Sequence, residues 1–115
     1  SFVMKYDEYE IFNLIDKIND FELLNSFLDK KLGKLIRHER ESEMNLIETL
    51  RVLIDNNFNL KKSAKAMYLH YNTMRYRVEK LKEYGINMED GYQLGEIVLA
   101  YNIHLWLKAN ERLRI

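Results

Sequence analysis

The chain has 115 residues, with 18 Lys/Arg against 18 Asp/Glu and neither cysteine nor proline. Absent cysteine excludes disulfides, thiol catalysis and Cys-ligated zinc, and fits a reducing cytosol. No run approaches the roughly 20 apolar residues that span a bilayer, and the N-terminal SFVMKYDEYE lacks the apolar segment of a signal peptide.

A soluble, cytoplasmic, all-α protein is therefore expected, large enough to bury a core unaided, with short turns between helices rich in Leu, Ile, Lys and Glu. Ser1 in place of an initiator Met implies a piece of a longer protein, with a sensory domain missing at the N-terminal side.

Ile11, Leu14, Ile15 and Ile18 recur at i, i+3, i+4 and i+7, which predicts a first amphipathic helix over 6–18, broken by Asn19-Asp20. Asp20 is placed to N-cap a second helix carrying Phe21, Leu24, Phe27, Leu28 and Leu32 and ending near Gly33, with KLIRH as a separate short piece. The charged run 37–43 has no apolar period and reads as a solvated connection. Ser42 is the expected cap for a helix over 43–56 bearing Leu46, Ile47, Leu50, Leu53 and Ile54, stopped by NNFN.

Two helical turns over 60–67, a three-residue turn over 68–70 and a longer helix over 71–83 come next, ended by Gly85. A last helix over 92–113 has two apolar stripes, one of them Leu99, Ile103 and Trp106, which is expected to serve dimerisation or docking of the missing part. Residues 1–42 are read as an N-terminal segment packing on the core, and 43–115 as a domain of the same compact unit.

Net neutrality conceals an uneven distribution. Residues 1–59 carry −4 and residues 84–115 carry −1, while residues 60–83 hold seven Lys/Arg against two Asp/Glu, a +5 island. That island coincides with a short helix, a tight turn and a longer helix, the arrangement of a helix-turn-helix that enters the DNA major groove. Ala64 is small where the two helices approach, Met67 and Leu69 are apolar at the corner, and Met74 and Val78 face inward.

His70, Tyr71, Asn72, Thr73, Arg75 and Tyr76 then become the candidates for base contact, with Glu79 on the same outer face. Lys61, Lys62, Ser63, Lys65, Arg77 and Lys80 are the candidates for phosphate. Lys61 and Lys62 occupy a first helical turn, where the macrodipole disfavours cations by roughly 0.3–1 kcal/mol each unless an anion binds there. Asn72 and Thr73 suit capping as well as contact, and Tyr68 is expected to pack at the corner. Arg75 and Arg77 point apart on a helix, so one reads a base and the other meets phosphate or a neighbouring carboxylate.

LIETLRVLIDNN, NLKKSAKAM and LHYNTMRYRVEKL together resemble the C-terminal helix-turn-helix domain of the PucR/CdaR family of bacterial transcription regulators, strongly over 46–101 and weakly upstream. The resemblance implies sequence-specific binding of double-stranded DNA as the output of a regulator of purine catabolism or sugar-diacid use; a homodimer acting at the nucleoid is expected beside it. It places His70, Asn72, Thr73, Arg75, Tyr76 and Arg77 in the recognition segment. Tyr71 stands where that family often has Arg, Phe58 where it often has a small residue, and Asp90-Gly91 where Asp-Pro is common.

A Fis-like nucleoid protein is similar over the same motif but characteristically stops soon after it, and a helical interaction module with an acidic partner is the other alternative. His38, His70 and His104 are isolated, and no GxGxxG, P-loop or GxSxG occurs. No cofactor, no metal and no enzymatic activity is expected.

Overall fold

Six α-helices and no strand make up the described residues 10–115 of the computed structural model. They are α1 Glu10–Ile18, α2 Phe21–Glu39, α3 Leu46–Asp55, α4 Leu60–Ala66, α5 Tyr71–Glu83 and α6 Gly91–Ala109. The expected start of the first helix at residue 6 lies outside the described residues. None of the described helices is long and apolar enough to cross a membrane. The all-α class is as expected.

Asp20 caps α2 as its residue type predicts, Oδ1 accepting from the Leu23 N–H at 3.0 Å. The helix does not stop at Gly33, however, and KLIRH is its continuation. Buried Leu24, Leu28, Leu32, Leu35 and Ile36 keep helical spacing through the glycine. Each such side chain contributes roughly 1.5–3 kcal/mol on burial, against about 1 kcal/mol lost to a mid-helix Gly.

Two compact units form: residues 10–33 with 88–115, and residues 34–87. In the first, α1 packs on α6. The core face of α1 is Phe12 and Ile15, whereas the expected Leu14 and Ile18 are 64% and 50% exposed. Asp16 explains the rotation, because its Oδ1 accepts from Trp106 Nε1 at 3.1 Å and turns that side of α1 toward α6. Phe21 stacks on Trp106 at 5.7 Å between centroids, and Arg112 lies over Phe21 at 4.7 Å. Asn25 donates to the Arg112 carbonyl at 2.9 Å and accepts from the Arg114 N–H at 2.7 Å, tying down the C-terminal tail.

Trp106 and Ile103 are thus buried inside this unit. Two of the three residues of the stripe expected to serve a partner are used in the chain's own packing, and Leu99 is half-buried.

In the second unit, α3, α4 and α5 pack on one another around Leu46, Leu50, Leu53, Ala64, Met74, Val78, Leu81 and Ile86. The α3 helix begins at Leu46, three residues later than expected, and Ser42 does not cap it; the Ser42 hydroxyl accepts from the Met44 N–H. The cap comes from Glu39, whose Oε1 accepts from the Ile47 N–H at 3.0 Å, so a carboxylate meets the positive helix end. His38 beside it stacks on Tyr84 with centroids 4.2 Å apart.

Burial, and secondarily the Lys108 ammonium one turn further on, push the His104 imidazole from 6.5 down to about 4. Between those values the unfolded chain binds a proton that the folded chain excludes. Stability is therefore full above about pH 6.5 and falls as pH drops toward 4, by roughly 3 kcal/mol in total from this group. His104 Nδ1 has no hydrogen-bond partner, so His104→Leu removes the titration without breaking a bond there. Urea denaturation near neutrality and near pH 5 is expected to show a smaller loss of stability in His104→Leu than in the parent.

Candidate nucleic-acid interface

The sequence NLKKSAKAMYLH builds a short helix and its stop. Asn59 N-caps α4, its Oδ1 accepting from the Lys62 N–H at 2.9 Å. One of the helix-end donors expected to meet phosphate is therefore already taken. The C-terminus closes with the Leu69 N–H on the Ala64 carbonyl at 2.9 Å and the Tyr68 N–H on the Lys65 carbonyl at 3.1 Å. This 6→1 and 5→2 pair is a Schellman motif, which puts Tyr68 at the left-handed position that glycine usually fills. Its φ is 56°.

Met67 is the C-cap of α4, so the connection runs over 67–70 and α5 starts at Tyr71 as expected. Ala64, Met74 and Val78 are buried, and Met67 and Leu69 are half-buried. Those packing roles are as read from the sequence. Tyr68 is not: it is 97% exposed instead of packed at the corner.

The base-contact candidates form one exposed set. His70, Tyr71, Asn72, Thr73, Arg75 and Tyr76 are all exposed at the N-terminal half of α5. His70 is the N-cap in extended backbone, no side chain caps this helix, and its first turn holds no acidic residue. Asn72 and Thr73 thus have no capping bond to α5 and remain available as contacts.

The phosphate candidates divide. Lys61, Lys62 and Lys65 are exposed, and none forms an ion pair among the described residues. Ser63 is fully buried with its hydroxyl unpartnered, so it is unavailable to a phosphate and leaves the set. Arg77 is half-buried and its Nη1 donates to Thr49 Oγ1 at 3.1 Å, while that hydroxyl donates to the Asn45 carbonyl at 2.9 Å.

Lys80 pairs with Glu83 at 3.1 Å and lies over the Tyr76 ring at 5.6 Å. The hydrogen bond to Glu83 holds its ammonium above the ordinary lysine range. Lys82 pairs with Glu79 at 3.3 Å. Thr49, Glu39 and the exposure of Tyr68 were not legible from residue types, and for Tyr68 only the left-handed backbone angle marks the difference.

Among the described residues no three His, Cys, Asp or Glu side chains group as a metal site. Residues 46–103 match the family model of the PucR C-terminal helix-turn-helix domain. The chain is similar to three named proteins of Bacillus subtilis (strain 168). It is 25% identical to the DNA-binding transcriptional activator AdeR over 70% of this chain and 19% of that protein. It is 30% identical to the proline-responsive transcriptional activator PutR over 66% of this chain and 19% of that protein. It is 29% identical to the purine catabolism regulatory protein over 72% of this chain and 15% of that protein. The chain thus spans a fifth or less of the length of these relatives. No solved structure matches it significantly.

The two arginines of α5 differ in what holds them, and stability separates them. Arg77→Ala is expected to cost about 1 kcal/mol, by removing its bond to buried Thr49. Arg75→Ala, an exposed change, is expected to stay within about 0.5 kcal/mol of the parent in the same urea titration.

Proposed function

The chain belongs to the family of PucR C-terminal helix-turn-helix domains, and from that premise we propose that it binds double-stranded DNA sequence-specifically as the output part of a longer bacterial transcription regulator. One observation carries this reading. The +5 segment folds into α4 and α5 with Lys61, Lys62, Lys65 and Arg75 all exposed, beside a helix N-terminus that carries no acidic residue and no side-chain cap. A solvated helix face in a neutral protein has no need of that concentration, whereas a polyanion does.

In this reading α5 lies in the major groove. His70, Tyr71, Asn72, Thr73, Arg75 and Tyr76 face base edges, and Lys61, Lys62 and Lys65 meet phosphates. Arg77 acts chiefly by holding α5 to α3, and Lys80 exchanges Glu83 for a phosphate when DNA binds. A homodimer on a pseudo-palindrome, with recognition helices about 34 Å apart, belongs to the same proposal; a strict monomer by light scattering with DNA present counts against it.

The similarity to the purine catabolism regulatory protein supports a purine-catabolism type, with sugar-diacid control as the alternative, although PutR, similar to the same degree, is proline-responsive. Action in the cytoplasm, at the nucleoid, follows from the ligand. The missing N-terminal region is the proposed site of sensing.

Fluorescence anisotropy with duplexes selected from a random pool tests the reading. Arg75→Ala is expected to cost roughly 1–3 kcal/mol on the selected duplex and to relax its preference over random duplex. Lys62→Ala is expected to weaken all duplexes alike and to lower the salt slope by about one. Selection that yields no preferred sequence would turn the assignment toward an interaction module. Equal losses for Arg75→Ala on both duplexes would remove Arg75 from base reading.

A further inference from the structure

We propose that Tyr68 is a DNA-backbone contact whose phenolic hydroxyl donates a hydrogen bond to a phosphate oxygen beside the groove that α5 enters. The inference rests on the duplex-binding reading above and adds to it a residue that the apolar pattern assigns to packing.

Two independent features of Tyr68 oppose fold stability. Its backbone is left-handed, with φ 56°, at the C′ position of the α4 Schellman motif. Glycine adopts that conformation freely, whereas a bulky L-residue pays for it sterically. Its side chain is also 97% exposed, so no burial of the ring compensates the strain. Four described helices end in the same closure, and their C′ residues are Asn57, Tyr68, Gly85 and Glu111. Gly85 carries no such cost, Asn57 belongs to a type that tolerates the conformation, and Glu111 exposes a charged side chain that water solvates. Phe58, which follows Asn57, is also left-handed at φ 60°, but its ring is half-buried; among the left-handed aromatic residues Tyr68 is the one whose ring stands fully in water. Backbone strain that packing does not repay is found at sites of function.

The position selects the contact. Tyr68 lies two residues before the α5 N-cap His70, outside the helix that would read bases and on the turn at its edge. Exposed Lys65 lies in the last turn of α4, so the surrounding field attracts anions. A tyrosine hydroxyl donates one hydrogen, and the acceptor repeated at a groove edge whatever the sequence is a phosphate oxygen.

The test pairs stability with affinity, because the proposal predicts opposite signs for them. Tyr68→Gly is expected to raise the urea midpoint while weakening binding to selected and random duplexes alike, by about tenfold. Tyr68→Phe keeps ring and backbone but not the hydroxyl, and is expected to show the same loss of affinity with no gain in stability.

Unchanged affinity in Tyr68→Gly overturns the proposal, as does full affinity in Tyr68→Phe. A loss confined to the selected duplex overturns it in favour of a base contact, and a lowered midpoint in Tyr68→Gly removes the strain it is argued from. In each of these cases the parent chain still binds DNA and the duplex reading stands. A parent chain that binds no duplex defeats both.

Discussion

The end of α4 is closed by two backbone hydrogen bonds, Leu69 N–H to the Ala64 carbonyl and Tyr68 N–H to the Lys65 carbonyl, and the direction in which α5 departs depends on them. The closure reverses the chain within four residues and brings Met74 and Val78 against the same core as Ala64. Ala64 is the residue that permits this, because its carbonyl is the 6→1 acceptor and its side chain, 3% exposed, is small enough for the helices to approach. A larger residue there would separate α4 from α5 and rotate the outer face of α5 with it. The exposed set from His70 to Tyr76 is thus a consequence of how α4 ends, and Leu69 completes the motif as the half-buried residue after the left-handed one.

A second layer of support lies behind α5. Thr49 on α3 is fully buried, and its hydroxyl both donates to the Asn45 carbonyl and accepts from Arg77. Arg77 therefore carries positive charge into the protein side of the helix, where it ties α5 to α3. Arg75, two positions earlier and so on another face, is left to solvent. The start of α3 is in turn held by Glu39 through the Ile47 N–H. Glu39, Thr49 and Arg77 each bond across elements, and together with the apolar core they limit how far α5 can shift.

How much of this the sequence displayed depends on the range of the interaction concerned. The α5 helix was legible from Tyr71 to Glu83 because its apolar spacing, its polar N-terminal side and Gly85 are all local signals. Asp20 as a cap was legible for the same reason. Gly33 misled, because its local cost was outweighed by Leu35 and Ile36, whose burial is a tertiary fact.

The start of α3 depends on a carboxylate eight residues upstream, and the orientation of α1 on an indole ninety residues away. Neither distance has a sequence signature. Ser63 shows the reverse error: a hydroxyl between lysines reads as a phosphate ligand by composition, yet it occupies the helix face turned to the core. The exposure of Tyr68 escaped because an aromatic beside Met67 and Leu69 looks like a third corner residue, and only its backbone angle distinguishes it.

Charge is also graded along the helix-turn-helix itself. At the C-terminal half of α5 the cations are matched, Lys80 by Glu83 and Lys82 by Glu79. Such exposed pairs contribute little to stability, but they cancel the field locally. At the other end Lys61, Lys62, Lys65 and Arg75 have no carboxylate in range among the described residues, and the first turn of α5 holds no acid. The positive end of the α5 macrodipole adds to them there.

The uncompensated field is therefore concentrated at the N-terminal end of α5 and on α4, and the rest of the chain is neutral or acidic. Screening over roughly 8–10 Å leaves that end of the helix as the part that attracts a polyanion from solution. In the duplex-binding reading, a helix steered in by its N-terminus presents His70 to Tyr76 to the groove first and brings Lys80 and Lys82 to the rim last, where Lys80 can leave Glu83 for a phosphate. Under the proposed function the order of residues along α5 is thus an electrostatic guide as well as a reading surface.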